Sequence, residues 1–272
     1  MRKVPFLKMT GAGNDFLVFD GRKASFKLST WQIAWACNRN FGVGADGVLI
    51  VRPSRAADFR MQYFNADGSH AEMCGNGARC IARYAHELGV AGKQMSFETD
   101  AGLVRGEMLG KARVRVTLSD PRGLGEIRSI RSGAGTWKYV FVNTGVPHVV
   151  IPVSGLNTFD VVGAGRSIRT HRAFAPKGTN VNFIQKISSK QIRVRTYERG
   201  VEGETLACGT GVSAAAIAAV RFGWVKAAPV ECLTQGGCKL TVDFELREGR
   251  VSKLSLAGPA ETICSGKLEA SC

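Results

Sequence analysis

The chain carries one short motif twice, and the spacing of the two copies constrains the fold more than any other feature. Cys-Gly-x-Gly occupies residues 74–77 and again residues 208–211, an offset of 134 in a chain of 272 residues. Shifting the sequence by this offset, without gaps, places Tyr63 on Tyr197 and holds one register from Thr10 onward. Chance matching of glycine and alanine explains this poorly. The sequence therefore predicts a duplication into two similar halves.

Each half shows the same order of predicted elements. Strands come first, at 4–9 and 16–20 in one half and at 137–143 and 148–153 in the other, followed by helices at 29–38 and 158–168. Two more strands precede the motif, which starts a helix that Gly89 or Gly223 ends, and further strands close each half. We expect an α/β fold of the α+β type, with two pseudo-symmetric domains, each a mostly antiparallel sheet or barrel wrapped around a central helix.

The second motif helix is the strongest evidence for a central helix. Residues 211–220 are small or apolar on every side, which is typical of a buried helix. The first motif helix is more amphipathic, so it supports the same arrangement less strongly. Residues 121–134, rich in glycine and serine, break the pattern, and we expect the halves to join there.

Composition excludes some classes of protein. No apolar stretch is long enough to span a bilayer, and the N-terminus lacks a secretory pattern, so we expect a cytoplasmic protein with reduced thiols. The net charge of +15 raises the possibility of nucleic-acid binding. However, Lys and Arg are spread along the chain with no run of five, so nucleic acid is not the expected partner.

A cysteine at a helix start suits acid/base chemistry. The first backbone N–H groups of a helix lack intrahelical partners, so together with the helix dipole they can hold a carboxylate and stabilise a thiolate. If Cys74 and Cys208 faced each other across one α-carbon, one thiolate could remove its proton while the other thiol protonated the opposite face. Such an inversion needs neither metal nor pyridoxal phosphate, and we expect no cofactor.

Other roles for these cysteines remain open. A single cysteine at a helix start is usually a small packed residue, but packing gives no reason for two at the same offset. A redox disulfide or zinc would also use paired thiols, although Cys80 follows Cys74 by six residues and Cys208 has no comparable neighbour. Packing or surface positions are expected for the remaining cysteines, which are Cys37, Cys80, Cys232, Cys238, Cys264 and Cys272.

The chain resembles the diaminopimelate epimerases, a family of pyridoxal-phosphate-independent amino-acid racemases. The resemblance covers nearly the whole sequence. It rests on GAGNDF (11–16), FGVGADGVLIV (41–51), FNADGS (64–69), EMCGNGARC (72–80), PHVV (147–150), GTNVNF (178–183), YERGVEGETLACGTG (197–211) and SGKL near the end.

The resemblance implies interconversion of LL- and meso-diaminopimelate, on the route to lysine and peptidoglycan, by a homodimer. It makes Cys74 and Cys208 the catalytic thiols. It also implies that the C-terminal strand returns to the first domain, giving domains of 1–119 with 262–272 and 120–261. The implied substrate-binding residues are Asn14, Asn65, Gly75, Asn76, His148, Asn180, Glu198, Arg199, Gly209 and Thr210.

Local roles compete with several of these assignments. Asn14, Asn65 and Asn180 are also typical of turns and caps, Glu198 and Arg199 could form a solvated pair, and His148 could be structural. Val146 replaces an asparagine, and Gly47 a glutamine, found in many family members. The alternative functions are epimerisation of another amino acid, such as histidine, proline or hydroxyproline, and nucleic-acid binding by an old enzyme fold.

Overall fold

The computed structural model describes residues 2–23, 25–133 and 135–270. Its helices are α1 (Thr30–Cys37), α2 (Gly75–Glu87), α3 (Val161–Arg169) and α4 (Gly209–Arg221), with a 3₁₀ turn at Arg172–Phe174. The first strands are β1 (Arg2–Gly11), β2 (Asn14–Asp20), β3 (Gly47–Arg52), β4 (Phe59–Asn65), β5 (His70–Ala71), β6 (Gln94–Thr99), β7 (Gly102–Met108) and β8 (Arg113–Thr117). The later strands are β9 (Arg128–Ser132), β10 (Gly135–Asn143), β11 (Pro147–Pro152), β12 (Asn180–Lys186), β13 (Gln191–Glu198), β14 (Gly203–Thr205), β15 (Val230–Leu233), β16 (Lys239–Arg247), β17 (Arg250–Pro259) and β18 (Glu261–Ala270).

The chain forms two compact units. Unit 1 comprises Met1–Val116 with Gly258–Cys272, and unit 2 comprises Thr117–Ala257. The domain boundaries expected from the sequence stay predictions. Residues 271 and 272 lie outside the described residues, so Cys272 does too.

Strand pairing repeats between the units, which confirms the duplication. In unit 1 the order is β18-β1-β2-β3-β4-β6-β7-β8, and only the β2–β3 and β4–β6 pairs among these are parallel. In unit 2 the order is β9-β10-β11-β12-β13-β15-β16-β17, with β11–β12 and β13–β15 parallel. Each parallel pair thus recurs at the equivalent place, and both sheets are mostly antiparallel as predicted.

Each sheet is covered on both faces by helices. In unit 1, α1 packs with Leu17, Phe19 and Ile50, whereas the start of α2 lies against Phe16 and Leu49, which point to the opposite face. In unit 2, α3 packs on one face, and α4 contacts β10, β11, β12, β13, β15 and β16. Strands buried on both faces read as continuous apolar runs, as β2 and β3 do.

The central helices are buried over most of their length. Every residue of α4 from Gly211 to Ala219 is buried, as its sequence predicts. The α2 helix is buried from Asn76 to Ala82 despite its amphipathic sequence, because Arg79, with no exposed surface, bonds inside the unit. Within the described residues, every helix is too short or too polar to cross a bilayer.

The sequence did not predict β9, nor the short strands β5 and β14. The segment 121–134 breaks the predicted pattern where we expect the halves to join, but Arg128–Ser132 within it forms β9 and pairs with β10 in unit 2. Ile130 and Ser132 are buried while their neighbours are exposed, so the strand alternates as expected but has only two buried positions. Glycine and serine on either side conceal so short a signal.

Candidate active site

The two motif cysteines occupy the same structural position. Cys74 and Cys208 are the N-cap residues of α2 and α4, with extended backbone angles (φ −138°, ψ 122° and φ −116°, ψ 111°). The first intrahelical bonds run from Ala78 N to Cys74 O (2.7 Å) and from Val212 N to Cys208 O (2.8 Å). The backbone N–H groups just after each cysteine therefore lie at a helix start and favour an anion there.

In unit 1 the predicted residues meet at one end of the sheet. Asn14 begins β2, Asn65 ends β4, and the Asn76 Nδ2 atom donates to Asn14 Oδ1 at 2.7 Å. The close approach requires glycine at position 11, because a Cβ there would lie 2.6 Å from the carbonyl oxygen of Asn76. The β1–β2 turn thus carries Asn14 against the start of α2.

Asn65 also has the local role that its sequence context suggests. Its backbone and side-chain nitrogens donate to the carbonyl and hydroxyl of Ser69 at 2.9 and 3.0 Å, which closes the turn after β4. Its cross-strand partner is Gly47, where a Cβ would lie 2.5 Å from the Phe64 carbonyl oxygen. Glycine at position 47 is therefore required by the local packing of this chain.

An acidic pair anchors this end of the unit. Asn14 Nδ2 donates to Asp46 Oδ2 at 2.9 Å, and Arg39 bonds both Asp46 and Asp15 at 2.8 Å. Burial would raise the pKa of Asp15, but hydrogen bonds from Arg39 and Lys8 outweigh it and hold that pKa below its ordinary value. Arg39 thus holds both carboxylates in place as hydrogen-bond acceptors.

In unit 2 the equivalent end of the sheet holds the other predicted residues. His148 on β11 lies opposite Asn180 on β12. The Asn180 amide accepts from the Arg199 backbone N–H at 2.8 Å and donates to the Pro147 carbonyl at 3.0 Å. The Thr210 carbonyl at the start of α4 accepts from the Thr144 hydroxyl at 2.9 Å. Strand ends and helix start are thereby tied together.

His148 is a buried, neutral imidazole. The Asn182 Oδ1 atom accepts from the Thr196 hydroxyl at 2.9 Å, so its Nδ2 donates to the Val149 carbonyl at 3.2 Å and to His148 Nδ1 at 3.1 Å. The imidazole proton must then sit on Nε2, which is buried without a hydrogen-bond partner among the described residues. Burial, aided by the charge of Arg199, lowers the pKa of His148 to about 3.

Glu198 connects the end of β13 with the catalytic candidate of unit 2. Burial raises the pKa of Glu198, and the side chains of Thr205 and, less strongly, Cys208 partly offset that rise. The Cys208 sulfur also lies 3.5 Å from the Thr210 hydroxyl. Arg199, the next residue, donates to the Lys177 carbonyl at 3.2 Å, so Glu198 and Arg199 have separate partners.

Three of the other cysteines, Cys37, Cys80 and Cys232, are buried. Burial raises the pKa of Cys37 and of Cys80 to about 12, and it raises that of Cys232 still further. They are inert, packed thiols, whereas Cys264 is exposed. Among the described residues, no three His, Cys, Asp or Glu side chains form a cluster that could hold a metal ion.

The sequence did not predict the residues that hold the predicted side chains in place. Asn182 and Arg79 were not among the predicted residues, yet each fixes a side chain that was. A signal existed for both: Asn182 lies two residues from Asn180 and shares its strand face, and Arg79 lies three residues from Asn76 on α2.

Solved structures of similar fold define the class. A phenazine biosynthesis protein of the PhzF family from Bacillus anthracis matches with a TM-score of 0.72 at 15% identity, covering 99% of this chain and 100% of that one. A probable proline racemase from Agrobacterium radiobacter matches with a TM-score of 0.69 at 19% identity, covering 98% and 93%. The chain therefore has the duplicated fold that these proteins share.

Sequence relatives identify the family. The diaminopimelate epimerase profile matches residues 6–122 and 140–261. The diaminopimelate epimerase of Aquifex aeolicus is 42% identical over 276 residues, 97% of each chain. That of Chlorobaculum tepidum is 40% identical over 264 residues, covering 96% of this chain and 99% of the relative. The chain belongs to the diaminopimelate epimerase family.

Proposed function

We propose that this isomerase epimerises LL-diaminopimelate to meso-diaminopimelate with two thiols and no cofactor, as a step toward lysine. The observation that carries the proposal is the placement of Cys74 and Cys208 as N-cap residues of the two central helices, at equivalent positions of the duplicated units. Membership of the diaminopimelate epimerase family supports the choice of substrate.

The reaction is a proton exchange at one carbon. One thiolate takes the α-proton, and the electron pair of the C–H bond moves into the carboxylate, which gains enediolate character. The opposite thiol then protonates the carbon from its other face and becomes the thiolate. The stereocentre is inverted, and the protonation states of Cys74 and Cys208 are exchanged.

The helix starts stabilise the charge that develops. Backbone N–H groups of Gly75 and Asn76 in unit 1, and of Gly209 and Thr210 in unit 2, would hold the reacting carboxylate. The neutral His148 imidazole supports this role, since its Nε2–H is a buried donor without a partner among the described residues. Donors fixed in advance cost no reorganisation when the C–H bond breaks.

The distal end of the substrate carries a second carboxylate and ammonium. Arg199 would pair with the carboxylate, and Glu198, with the side-chain oxygens of Asn14, Asn65 and Asn180, would receive the ammonium. The Val146 side chain cannot form a hydrogen bond where many family members have asparagine, so this end would be held by one contact fewer. We further propose that the protein is cytoplasmic, forms a homodimer and binds no nucleic acid. Sedimentation with and without DNA tests the last two points.

The test is proton exchange in deuterated water, followed by NMR with LL-diaminopimelate and, separately, histidine, proline and hydroxyproline. The proposal predicts fast exchange and formation of the meso isomer with diaminopimelate alone. Fast exchange with another amino acid and none with diaminopimelate would overturn the substrate assignment and leave a racemase of that amino acid.

A further inference from the structure

A fully buried arginine lies one helical turn beyond Cys74. Arg79 has 0% exposed surface. Its Nη2 donates to Asn76 Oδ1 at 2.8 Å, its Nη1 to the Gly75 carbonyl at 3.1 Å, and its Nε to the Pro259 carbonyl at 3.2 Å. All three acceptors belong to unit 1, and two of them belong to the first turn of α2.

The bond to Asn76 is the first of a series. Asn76 Nδ2 donates to Asn14 Oδ1 at 2.7 Å, and Asn14 Nδ2 donates to Asp46 Oδ2 at 2.9 Å. Asp46 is held in turn by Arg39 at 2.8 Å. Two asparagines are thus connected in series between a buried guanidinium and an anchored carboxylate. We call these four residues, Arg79, Asn76, Asn14 and Asp46, the amide relay.

The charged ends allow the relay one polarity. A guanidinium can only donate hydrogen bonds, and a carboxylate can only accept them. Asn76 must therefore turn its oxygen toward Arg79 and its nitrogen toward Asn14, and Asn14 must turn its nitrogen toward Asp46. Reversing the Asn76 amide would place its NH₂ group against the donors of Arg79, and reversing the Asn14 amide would place its oxygen against the carboxylate of Asp46. Such a mismatch is most costly at the Arg79 end, where Arg79 and Asn76 are both buried.

We propose that Arg79 is a positioning residue for substrate binding, acting through Asn76 to fix the orientation of Asn14. Asn76 is 2% exposed and its amide is committed to the relay, whereas Asn14 is half-buried and has hydrogen-bonding capacity left on both amide atoms. The relay decides which of these atoms faces a bound amino acid. The inference rests on the proposed function only in taking Asn14 as a substrate contact.

Unit 2 has a simpler arrangement at the equivalent place. Ser213 stands at the position of Arg79 and donates to the Gly209 carbonyl at 2.9 Å, as Arg79 does to the Gly75 carbonyl. Thr210 stands where unit 1 has Asn76, and it carries no amide. The bond to the first-turn carbonyl is therefore common to both helices, whereas the amide relay is a feature of unit 1.

The kinetic test compares two arginines of α2. Arg79→Gln should raise KM for LL-diaminopimelate about tenfold with a smaller change in kcat, and Arg79→Lys, which keeps a charged donor, should recover part of the loss. Arg83→Gln is the matched control. Arg83 donates to the Ala260 carbonyl at 2.6 Å and to Glu87, so it also ties α2 to the C-terminal segment of unit 1 but does not contact the relay. Its loss should lower Tm and leave KM within about twofold.

A second measurement does not depend on turnover. The side-chain amide protons of Asn76, which is 2% exposed, are observed by ¹⁵N NMR and assigned with Asn76→Asp; they should exchange slowly with solvent in the wild type and faster in Arg79→Gln. Rapid exchange in the wild type would overturn the relay, even if the Arg79 variant did not fold. An unchanged KM in a folded Arg79→Gln, or an equal rise in Arg83→Gln, would also overturn it. Slow exchange in a wild type inactive toward diaminopimelate would refute the proposed function and leave the relay standing.

Discussion

The buried imidazole of His148 makes the stability of unit 2 depend on pH. The side chain has no exposed surface, and burial, with a further contribution from Arg199, lowers its pKa from 6.5 to about 3. In the unfolded chain the same group takes up a proton near its ordinary pKa. Between the two values the unfolded state therefore binds one proton more than the native state at this site.

The sign and size of the effect follow from proton linkage. The free energy of unfolding must fall as pH drops through the window from 6.5 toward 3, because acid favours the state that binds more protons. Each pH unit inside the window is worth about 1.4 kcal/mol. Lowering the pH from about 7.5 to about 5 should therefore cost unit 2 about 2 kcal/mol through this one side chain.

The assay is urea unfolding at both pH values, for the wild type and for His148→Gln. Replacing Trp31 and Trp35 by Phe in both proteins leaves Trp137 and Trp224, which report on unit 2. Other titrating groups cancel in the comparison, so the wild type should lose about 2 kcal/mol more than the variant. Parallel losses would refute the reasoning, as would an imidazole NMR signal, missing in His148→Gln, that titrates near pH 6.5 in the wild type.

Three further predictions concern two closely packed glycines and the two motif thiols. Gly211→Ala places a Cβ 2.4 Å from Asn182 Oδ1, so it should destabilise unit 2 by about 1–3 kcal/mol and lower kcat. The control is Gly203→Ala, whose Cβ meets nothing within 4 Å and which should change neither quantity in the same urea and rate assays. Gly165→Ala places a Cβ 2.4 Å from Tyr197 Cβ and should lower Tm by several degrees, while kcat at low temperature stays near the wild-type value. Mild oxidants should inactivate the enzyme by joining Cys74 to Cys208, and a reductant should restore it; peptide mapping that finds both thiols unmodified in the inactive protein would contradict this.

The sequence predicts most of the architecture because the two halves of the duplication share residue types at equivalent positions. Glycines, cysteines and apolar runs recur at one offset, so strand order and helix starts in one half support those in the other. The all-apolar run in α4 directly indicates burial. In contrast, β9 is short and flanked by glycine and serine, and no periodicity over five residues distinguishes it from a loop.

The supporting contacts of the site are harder to predict because they join distant residues. The Asn76–Asn14 bond spans 62 positions, and the bond from Arg79 to Pro259 spans 180. Equivalent positions also differ between the halves: Asn14 corresponds to His148, and Arg79 to Ser213. The repeat therefore predicts where functional side chains lie, but only the packed structure shows which atoms they bond.

The origin of the proton delivered to the inverted carbon tests the two-thiol mechanism most directly. In deuterated water, early samples from LL-diaminopimelate should contain meso product that carries deuterium at the inverted carbon, because the thiol that donates the proton has exchanged with solvent. The remaining LL substrate should stay unlabelled, because the thiolate that abstracts its proton lies on the other face of the carbon. Cys74→Ala and Cys208→Ala should each abolish product formation. Deuterium entering the remaining substrate as fast as the product, or near-normal turnover in either variant, would contradict the mechanism.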